Sequence, residues 1–338
     1  MDLTDIYKLA HDYVVPISIT IELLNKCNEC CEHCYIPSHT NDGLSTDEVV
    51  DILKQFREMG GLNVTLTGGE IFLRKDLLYI IETARKLKMR VFLLTNATLI
   101  DDEMARKLKE QNIAEISVSI YSMDEIIHDE ITKVKGSLLK TLRGVECVKN
   151  NNIPVMVKTP LMKKNKYAYR EVAAFCEKNG FHFMTSPIIF SKSDGDASTH
   201  QLAIDDTDLR EVIKEIAVYK KDEIKMNFEE ACGTLKYAFS VDCQGNVLPC
   251  NAFYYNLGNI KQKRLEEIWR SPRMQGVQNI MKKDLHICSK CDMQEECNRC
   301  PGLADLEDGD MRACSSTARR LAVVQHNILK EEKCNECV

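Results

Sequence analysis

Stretches of apolar, often β-branched residues alternate with helix-like stretches, and this alternation constrains the fold more than any other feature. Predicted strands occupy residues 17–24, 63–67, 90–94, 114–120, 153–159 and 181–188. Predicted helices occupy residues 45–59, 75–88, 101–111, 137–150 and 166–179. Strands joined by helical crossovers pair in parallel. The pattern therefore predicts an α/β fold, a partial (β/α)6 TIM barrel, with a doubly wound open sheet as the alternative.

Polar and glycine-rich motifs stand at the ends of the first four predicted strands. A cysteine loop follows the first strand, Gly68-Gly69-Glu70 follows the second, Asn96 follows the third and Ser119 lies near the end of the fourth. The loops that follow the strands of a parallel barrel lie together at its C-terminal face, where active sites assemble. We therefore expect these motifs to meet at one mouth of the barrel.

The chain has 16 cysteines in 338 residues, and most of them are grouped. One group lies within residues 27–34, and a second lies within 232–314. The acidic start of the chain is unlike a secretory signal, and no apolar run approaches the ~20 residues that span a bilayer. We therefore expect a cytoplasmic protein, with no membrane partner, whose thiols bind metal and do not form disulfides. The net charge of −6 disfavours a nucleic-acid partner, which requires a basic face.

The first cysteine group has the spacing C-x3-C-x2-C, formed by Cys27, Cys31 and Cys34. Three thiolates on a short loop suit an iron–sulfur cube that keeps one iron open. Zinc is the alternative, although a structural zinc site needs a fourth ligand. We expect Cys30 not to be a ligand and His33 to face outward.

Cys27-x3-Cys31-x2-Cys34-Tyr35, followed by Gly68-Gly69-Glu70 and Thr95-Asn96-Ala97-Thr98, resembles the core of the radical S-adenosylmethionine (SAM) enzymes, over residues 17–190. The resemblance implies a [4Fe–4S] cluster on the three cysteines, with SAM bound to the open iron. Reductive cleavage of SAM then yields a 5′-deoxyadenosyl radical that abstracts hydrogen. The residues expected to contact SAM are Tyr35, Gly68, Gly69, Glu70, Asn96, Ser119 and Lys135.

The second cysteine group resembles a SPASM domain, which carries auxiliary Fe–S clusters. Its order is Cys232, then Gly245-x4-Cys250, then Cys288-x2-Cys291-x5-Cys297-x2-Cys300, then Cys314. The resemblance implies two auxiliary clusters, which we expect to be [4Fe–4S]. One is held by Cys288, Cys291, Cys297 and Cys314, and the other by Cys232, Cys250 and Cys300. Cys243 either completes the second set as a metal ligand or leaves an open iron there. A zinc ribbon is the alternative for this region.

These features divide the chain into four predicted parts. Residues 1–16 form a lead-in, 17–190 the barrel, 191–231 a linker with a bridging helix, and 232–338 the auxiliary-cluster domain. The chain ends in a C-x2-C pair, Cys334 and Cys337, which fits a redox pair, a ligand pair or a frayed tail.

The resemblance implies a radical SAM oxidoreductase that crosslinks, oxidises or epimerises a ribosomally made peptide, because SPASM-bearing relatives mostly act on peptides or proteins. Its partners would be that peptide or protein and an electron donor such as flavodoxin or ferredoxin. Only 16 residues precede the first strand, so we expect any leader peptide to be recognised by a separate protein or in another way.

A radical SAM enzyme that modifies a small molecule, such as a cofactor or tetrapyrrole precursor, is the main alternative. An anaerobic sulfatase maturase is disfavoured because Asn251 stands after Cys250, where those enzymes have an Asp that serves as base. A non-enzymatic Fe–S or zinc scaffold is disfavoured by Gly68-Gly69-Glu70.

Overall fold

The computed structural model describes residues 3–217, 229–294 and 296–336. The strands are β1 Ser18–Glu22, β2 Asn63–Thr67, β3 Arg90–Thr95, β4 Glu115–Ser119, β5 Val155–Pro160, β6 His182–Ser186, β7 Ala238–Val241, β8 Asn246–Leu248 and β9 Gly258–Asn259. The helices are α1 Leu3–Asp12, α2 Thr46–Glu58, α3 Leu77–Lys86, α4 Asp102–Glu110, α5 Glu125–Thr132, α6 Ser137–Asn150, α7 Tyr169–Asn179, α8 Asp206–Ile216, α9 Leu265–Trp269, α10 Pro272–Gln278, α11 Pro301–Asp308 and α12 Ser316–Glu336.

Within the described residues, the strands form one sheet in the order β6-β5-β4-β3-β2-β1-β7-β8-β9. Strands β1 to β6 are parallel and follow one another in chain order. A doubly wound sheet would reverse this order at a switch point. The predicted partial (β/α)6 barrel is therefore confirmed, and the open-sheet alternative is wrong.

A seventh parallel strand, which the sequence did not predict, extends the barrel. Strand β7 pairs in parallel with β1, with Ser18 opposite Ala238. It then continues into the antiparallel strands β8 and β9. The cysteine-rich second half of the chain is thus joined to the barrel by backbone hydrogen bonds of one continuous sheet.

Side chains alternate across the barrel strands, as the two-residue period of a strand requires. On β3, Val91 and Leu93 are fully buried against the outer helices, whereas Phe92 and Leu94 are only half-buried on the inner face. The register places Leu94 beside Ser117 of β4. The inner wall of the barrel is therefore lined by a mixture of polar and apolar side chains that solvent partly reaches.

The lead-in folds as α1 and packs beside the N-terminal ends of the strands. The ring of Tyr7 makes an edge contact with Tyr237, at 5.3 Å between centroids. The Tyr7 hydroxyl also accepts a hydrogen bond from Asn63 Nδ2 at 3.0 Å. Ala10 and Ile17 complete this small apolar cluster. The helix thus packs at the end of the sheet opposite the predicted site.

Two further helices differ from expectation. Helix α5 lies where the sequence predicted no helix, and Asp124 caps it by accepting from the Ile126 amide at 2.8 Å. The bridging helix predicted within residues 191–231 is found as α8, and residues 218–228 of that predicted part lie outside the described residues. Among the described residues, no helix is both long and apolar enough to cross a membrane.

Helix α6 approaches the loop after β3 very closely, and a glycine makes this approach possible. A Cβ atom on Gly144 would lie 2.0 Å from the carbonyl oxygen of Ala97. One turn earlier, Thr141 Oγ1 donates to the carbonyl of Asn96 at 2.9 Å. The helix therefore fixes the backbone of the Thr95-Asn96 loop.

We expect Gly144→Ala to destabilise the protein by ~1–3 kcal/mol, because the added methyl group must displace backbone. Gly276→Ala is the matched control, since Gly276 is also helical and a Cβ there meets no atom within 4 Å. The control should be neutral or stabilising by up to ~1 kcal/mol. Thermal unfolding of both variants under anaerobic conditions tests this, and equal melting temperatures would contradict the packing argument.

Candidate functional site

The cysteine loop leaves β1 in direct backbone contact with the turn after β2. The Gly69 amide donates to Leu24 O at 2.9 Å, and the Glu70 amide donates to Lys26 O at 2.8 Å. A Cβ on Gly68 would lie 2.2 Å from Leu24 O, and one on Gly69 would lie 2.1 Å from Lys26 O. Both glycines therefore pack against the start of the cysteine loop, and their expected contact with SAM stays a prediction.

Glu70 is fully buried, and both of its carboxylate oxygens accept hydrogen bonds from the protein. Its oxygens accept from the Phe72 amide at 2.9 Å, the Asn96 amide at 2.8 Å and the Thr95 hydroxyl at 2.8 Å. Burial raises the pKa of Glu70, and the two backbone amides oppose that rise. These donors stabilise the carboxylate, which ties the end of β2 to the end of β3.

Asn96 connects the loop after β3 to the cysteine loop. Its Nδ2 donates to Asn28 Oδ1 at 2.8 Å, and Asn28 Nδ2 donates in return to Thr98 Oγ1 at 2.8 Å. Asn96 Oδ1 accepts from the Thr98 amide at 3.0 Å. Three loops that follow β1, β2 and β3 are thus joined at one mouth of the barrel, as the sequence predicts.

The thiols of Cys27, Cys31 and Cys34 are half-buried and interact electrostatically with one another, whereas Cys30 is exposed. Burial, followed by the carboxylates of Glu70 and Glu29, raises the pKa of Cys27 to about 12. The pKa values of Cys31 and Cys34 also rise, chiefly because of burial. Thiolates at this place therefore require a positive partner, which is what iron supplies. Within the described residues, no three acidic, His or Cys side chains are close enough to hold a single metal ion.

Several buried polar atoms in this part of the chain have no hydrogen-bond partner among the described residues. They include Glu29 Oε1, His33 Nδ1 and Asn25 Oδ1, all in or next to the cysteine loop. Orphaned polar atoms are costly in a protein interior, so a cluster of them marks a place that a bound group completes. The donor set and these open polar atoms together fit a cluster with a polar ligand.

His33 was expected to face outward, and that expectation is wrong. Its ring packs edge-on against Tyr121, at 5.0 Å between centroids, and burial lowers its pKa to about 4. The Tyr121 hydroxyl also points to Cys31, at 3.7 Å from its Sγ. Apolar packing on Tyr121 thus turns His33 inward and keeps it neutral.

The other residues expected to contact SAM lie around the same mouth. Tyr35 donates from its hydroxyl to Glu22 Oε1 at 2.6 Å, and its ring lies 6.3 Å from that of Tyr254. Ser119 ends β4 on the inner wall, opposite Lys158 of β5. Lys135 is exposed in the turn before α6. The contacts of these residues with SAM stay predictions.

Two charged residues on the inner wall were missed by sequence reasoning. Glu22 is buried at the end of β1, and burial raises its pKa to about 7 although the Tyr35 hydroxyl lowers it. Lys158 is half-buried on β5, and burial lowers its pKa. Both residues lie in sequence that otherwise has the pattern of a strand. The sequence signal that could have identified them is a charged residue within a predicted barrel strand.

The second cysteine group separates into two sets in space. Cys297 interacts electrostatically with Cys288, Cys291 and Cys314, and burial raises its pKa to about 11. Cys250 interacts with Cys232 and Cys300, and burial raises its pKa to about 12. The resemblance to SPASM domains implied the same grouping, and the role of these cysteines as cluster ligands stays a prediction.

Cys243 has different neighbours. It is buried in the turn between β7 and β8, and the charges that act on its thiol are the carboxylates of Glu22 and Asp242. Burial and these carboxylates raise its pKa to about 12. Its surroundings are therefore the barrel mouth.

At the end of the chain, Cys334 lies in α12, and Cys337 falls outside the described residues.

Two family models match the chain. The radical SAM superfamily matches residues 21–176, and the SPASM iron–sulfur cluster-binding domain matches residues 232–301. Together with the fold and the thiol loop, these matches show that the chain carries a radical SAM domain, followed by a SPASM domain in its second half. Its cofactors are accordingly SAM with a [4Fe–4S] cluster, and auxiliary Fe–S clusters in the SPASM domain.

Relatives of different activity resemble this chain. An AdoMet-dependent heme synthase from Nitratidesulfovibrio vulgaris is 23% identical, over 90% of this chain and 93% of the relative. The antilisterial bacteriocin subtilosin biosynthesis protein AlbA from Bacillus subtilis is 26% identical, over 78% of this chain and 61% of the relative. The structure of anSMEcpe with bound AdoMet and Cp18Cys peptide has a TM-score of 0.70 at 16% identity, over 95% of this chain and 99% of that chain, which shows a shared fold.

Replacing Glu70 tests its role as the buried acceptor that joins the loops. In Glu70→Gln, the side-chain NH2 group must face one of the donors from which the carboxylate now accepts. We therefore expect the free energy of unfolding to fall by ~1–3 kcal/mol. The matched control is Glu110→Gln, which alters an exposed carboxylate at the end of α4. Thermal unfolding and iron content measure the effect, and a Glu70→Gln protein as stable as the control would contradict it.

Proposed function

We propose that this protein is a radical SAM oxidoreductase that modifies a peptide. The single observation that carries the proposal is the charge of the inner wall at the barrel mouth. Glu22 and the neighbouring Asp242 are carboxylates, and Lys158 is the one lysine or arginine on the mouth half of the inner wall among the described residues. Asp242 already accepts hydrogen bonds from the amides of Gln244 and Asn246. Glu22 and the hydroxyls of the wall are therefore the acceptors that suit the amide groups of a peptide backbone.

We propose that Cys27, Cys31 and Cys34 hold the radical SAM cluster. When bound, SAM and the reduced cluster supply a radical that abstracts hydrogen from carbon. Glu70 fixes the three loops around this centre, and Asn96 ties the cysteine loop in place. Substrate would lie along the inner wall, where Ser119 and Lys158 can orient polar groups of the peptide.

We further propose two auxiliary sets of ligands. Cys288, Cys291, Cys297 and Cys314 form one, and Cys232, Cys250 and Cys300 form the other. The surroundings of Cys243 support leaving it out of the second set, because Glu22 and Asp242 are its charged neighbours. The second cluster then keeps an open iron. An external carrier such as flavodoxin or ferredoxin would supply electrons.

A tetrapyrrole substrate is the second candidate, and one observation favours it. The heme synthase relative matches nearly the full length of both chains. A tetrapyrrole with several propionate groups, however, needs several cationic side chains at its binding site. The acidic inner wall argues for the peptide.

Anaerobic incubation with SAM and dithionite separates these functions. We expect 5′-deoxyadenosine to form, and its yield to rise with a peptide encoded beside the gene. A decrease in the mass of the peptide, measured by mass spectrometry, then reports the loss of hydrogen atoms. Incorporation of deuterium from heavy water into the peptide reports epimerisation. Turnover of an iron tetrapyrrole with loss of its propionate carbon would reject the peptide. Absence of 5′-deoxyadenosine under all conditions would reject the enzyme.

Iron content tests the ligand sets. A chain with three [4Fe–4S] clusters holds about twelve irons, and loss of one set removes about four. We expect Cys27→Ala and Cys291→Ala each to lose a cluster. Cys243→Ala should keep the full iron content, because its thiol lies among carboxylates. Loss of iron from Cys243→Ala would instead assign it to the second auxiliary set.

A further inference from the structure

The side chain of Arg299 lies between the two auxiliary cysteine sets. It stands in sequence between Cys297 of one set and Cys300 of the other. The thiols of both residues, and those of Cys288 and Cys314, act electrostatically on its guanidinium group. A single cation is therefore within electrostatic reach of both proposed cluster sites.

Two of the three guanidinium nitrogens are used to hold the local backbone. Nε donates to Ala313 O at 2.8 Å, and one terminal nitrogen donates to Met311 O. Both acceptors lie just before Cys314, so the side chain spans the loop that carries this cysteine. The geometry fixes the orientation of the guanidinium plane.

The third nitrogen, Nη1, is buried and has no hydrogen-bond partner among the described residues. Among the described residues, the charged neighbours that act most strongly on Arg299 are cysteine thiols and not carboxylates. A half-buried cation without an anion is costly. The anions available at this place are the thiolates of the two sets and the sulfides that they would hold.

We propose that Arg299 is a positioning residue for the auxiliary clusters, with Nη1 donating to a cluster sulfur and its charge raising their reduction potential. The potential of an Fe–S cluster depends on net charge and on hydrogen bonds to its sulfurs. A nearby cation stabilises the more negative, reduced state. This inference rests on the proposed ligand sets, and it makes the auxiliary clusters better electron acceptors.

The thiol neighbours of Arg299 also explain why an arginine suits this place. Burial lowers its pKa, and the thiols of Cys288 and Cys300 oppose that effect. The guanidinium stays protonated because its pKa is so high to begin with. Its planar fork allows it to hold two carbonyl groups while the third nitrogen points elsewhere, which a lysine cannot do.

Redox titration of the complete holoenzyme, followed by electron paramagnetic resonance, tests the proposal. Added SAM alters the signal of the radical SAM cluster and so separates it from the auxiliary signals. We expect R299Q to have a lower auxiliary midpoint potential than the wild type. R299K keeps the charge and should lie closer to the wild type. R312Q changes an exposed arginine of the same loop and should leave the potential unaltered.

The iron content of each variant is also measured, because it separates the loss of a cluster from a change in its potential. If R299Q loses iron but R299K keeps it with a near-native potential, the role of the charge is supported. The proposal is overturned if both variants keep full iron and the native potential, or if both lose iron, because Arg299 then only braces the loop. Wild-type protein with about four irons would instead refute the proposed ligand sets, independently of Arg299.

Discussion

The structure depends on the close approach of two backbone segments, the exit of β1 and the turn after β2. Gly68 and Gly69 let these segments touch where any side chain would collide with Leu24 O or Lys26 O. Glu70 then accepts from the loop after β3 and adds that loop to the same assembly. The position of the cysteine loop therefore follows from backbone packing and hydrogen bonds between the protein's own loops.

The burial of carboxylates and thiols at the cysteine loop explains why this loop favours metal binding. The cysteine loop lies among the carboxylates of Glu29 and Glu70, and burial opposes ionisation of its thiols. An iron–sulfur centre relieves this conflict, because its positive irons compensate the thiolates. Glu29 Oε1 has no hydrogen-bond partner within the described part of the chain, and it supplies a polar atom in the cysteine loop. The same surroundings that disfavour free thiolates thus favour metal binding.

Strands and helices with a strong local sequence pattern were predictable. Strands and side-chain orientations that depend on tertiary contacts were not. The bounds of β2 follow from the alternation in 63–67, and the Ser45 capping box marks the start of α2. Strand β7 was missed because four residues carry too little pattern, and pairing with β1 decides its conformation. The inward turn of His33 depends on Tyr121, which lies far away in sequence. In the site, the motifs were visible in sequence, but the packing role of the glycines required coordinates.

The continuous sheet also links the radical centre to the auxiliary domain. Because β7 pairs with β1, the turn after β7 lies at the barrel mouth, and Cys243 comes close to Glu22. Strands β8 and β9 extend the sheet from that point, and Cys250 follows β8 directly. Backbone hydrogen bonds, and not a flexible linker, therefore set the separation between the two cysteine systems.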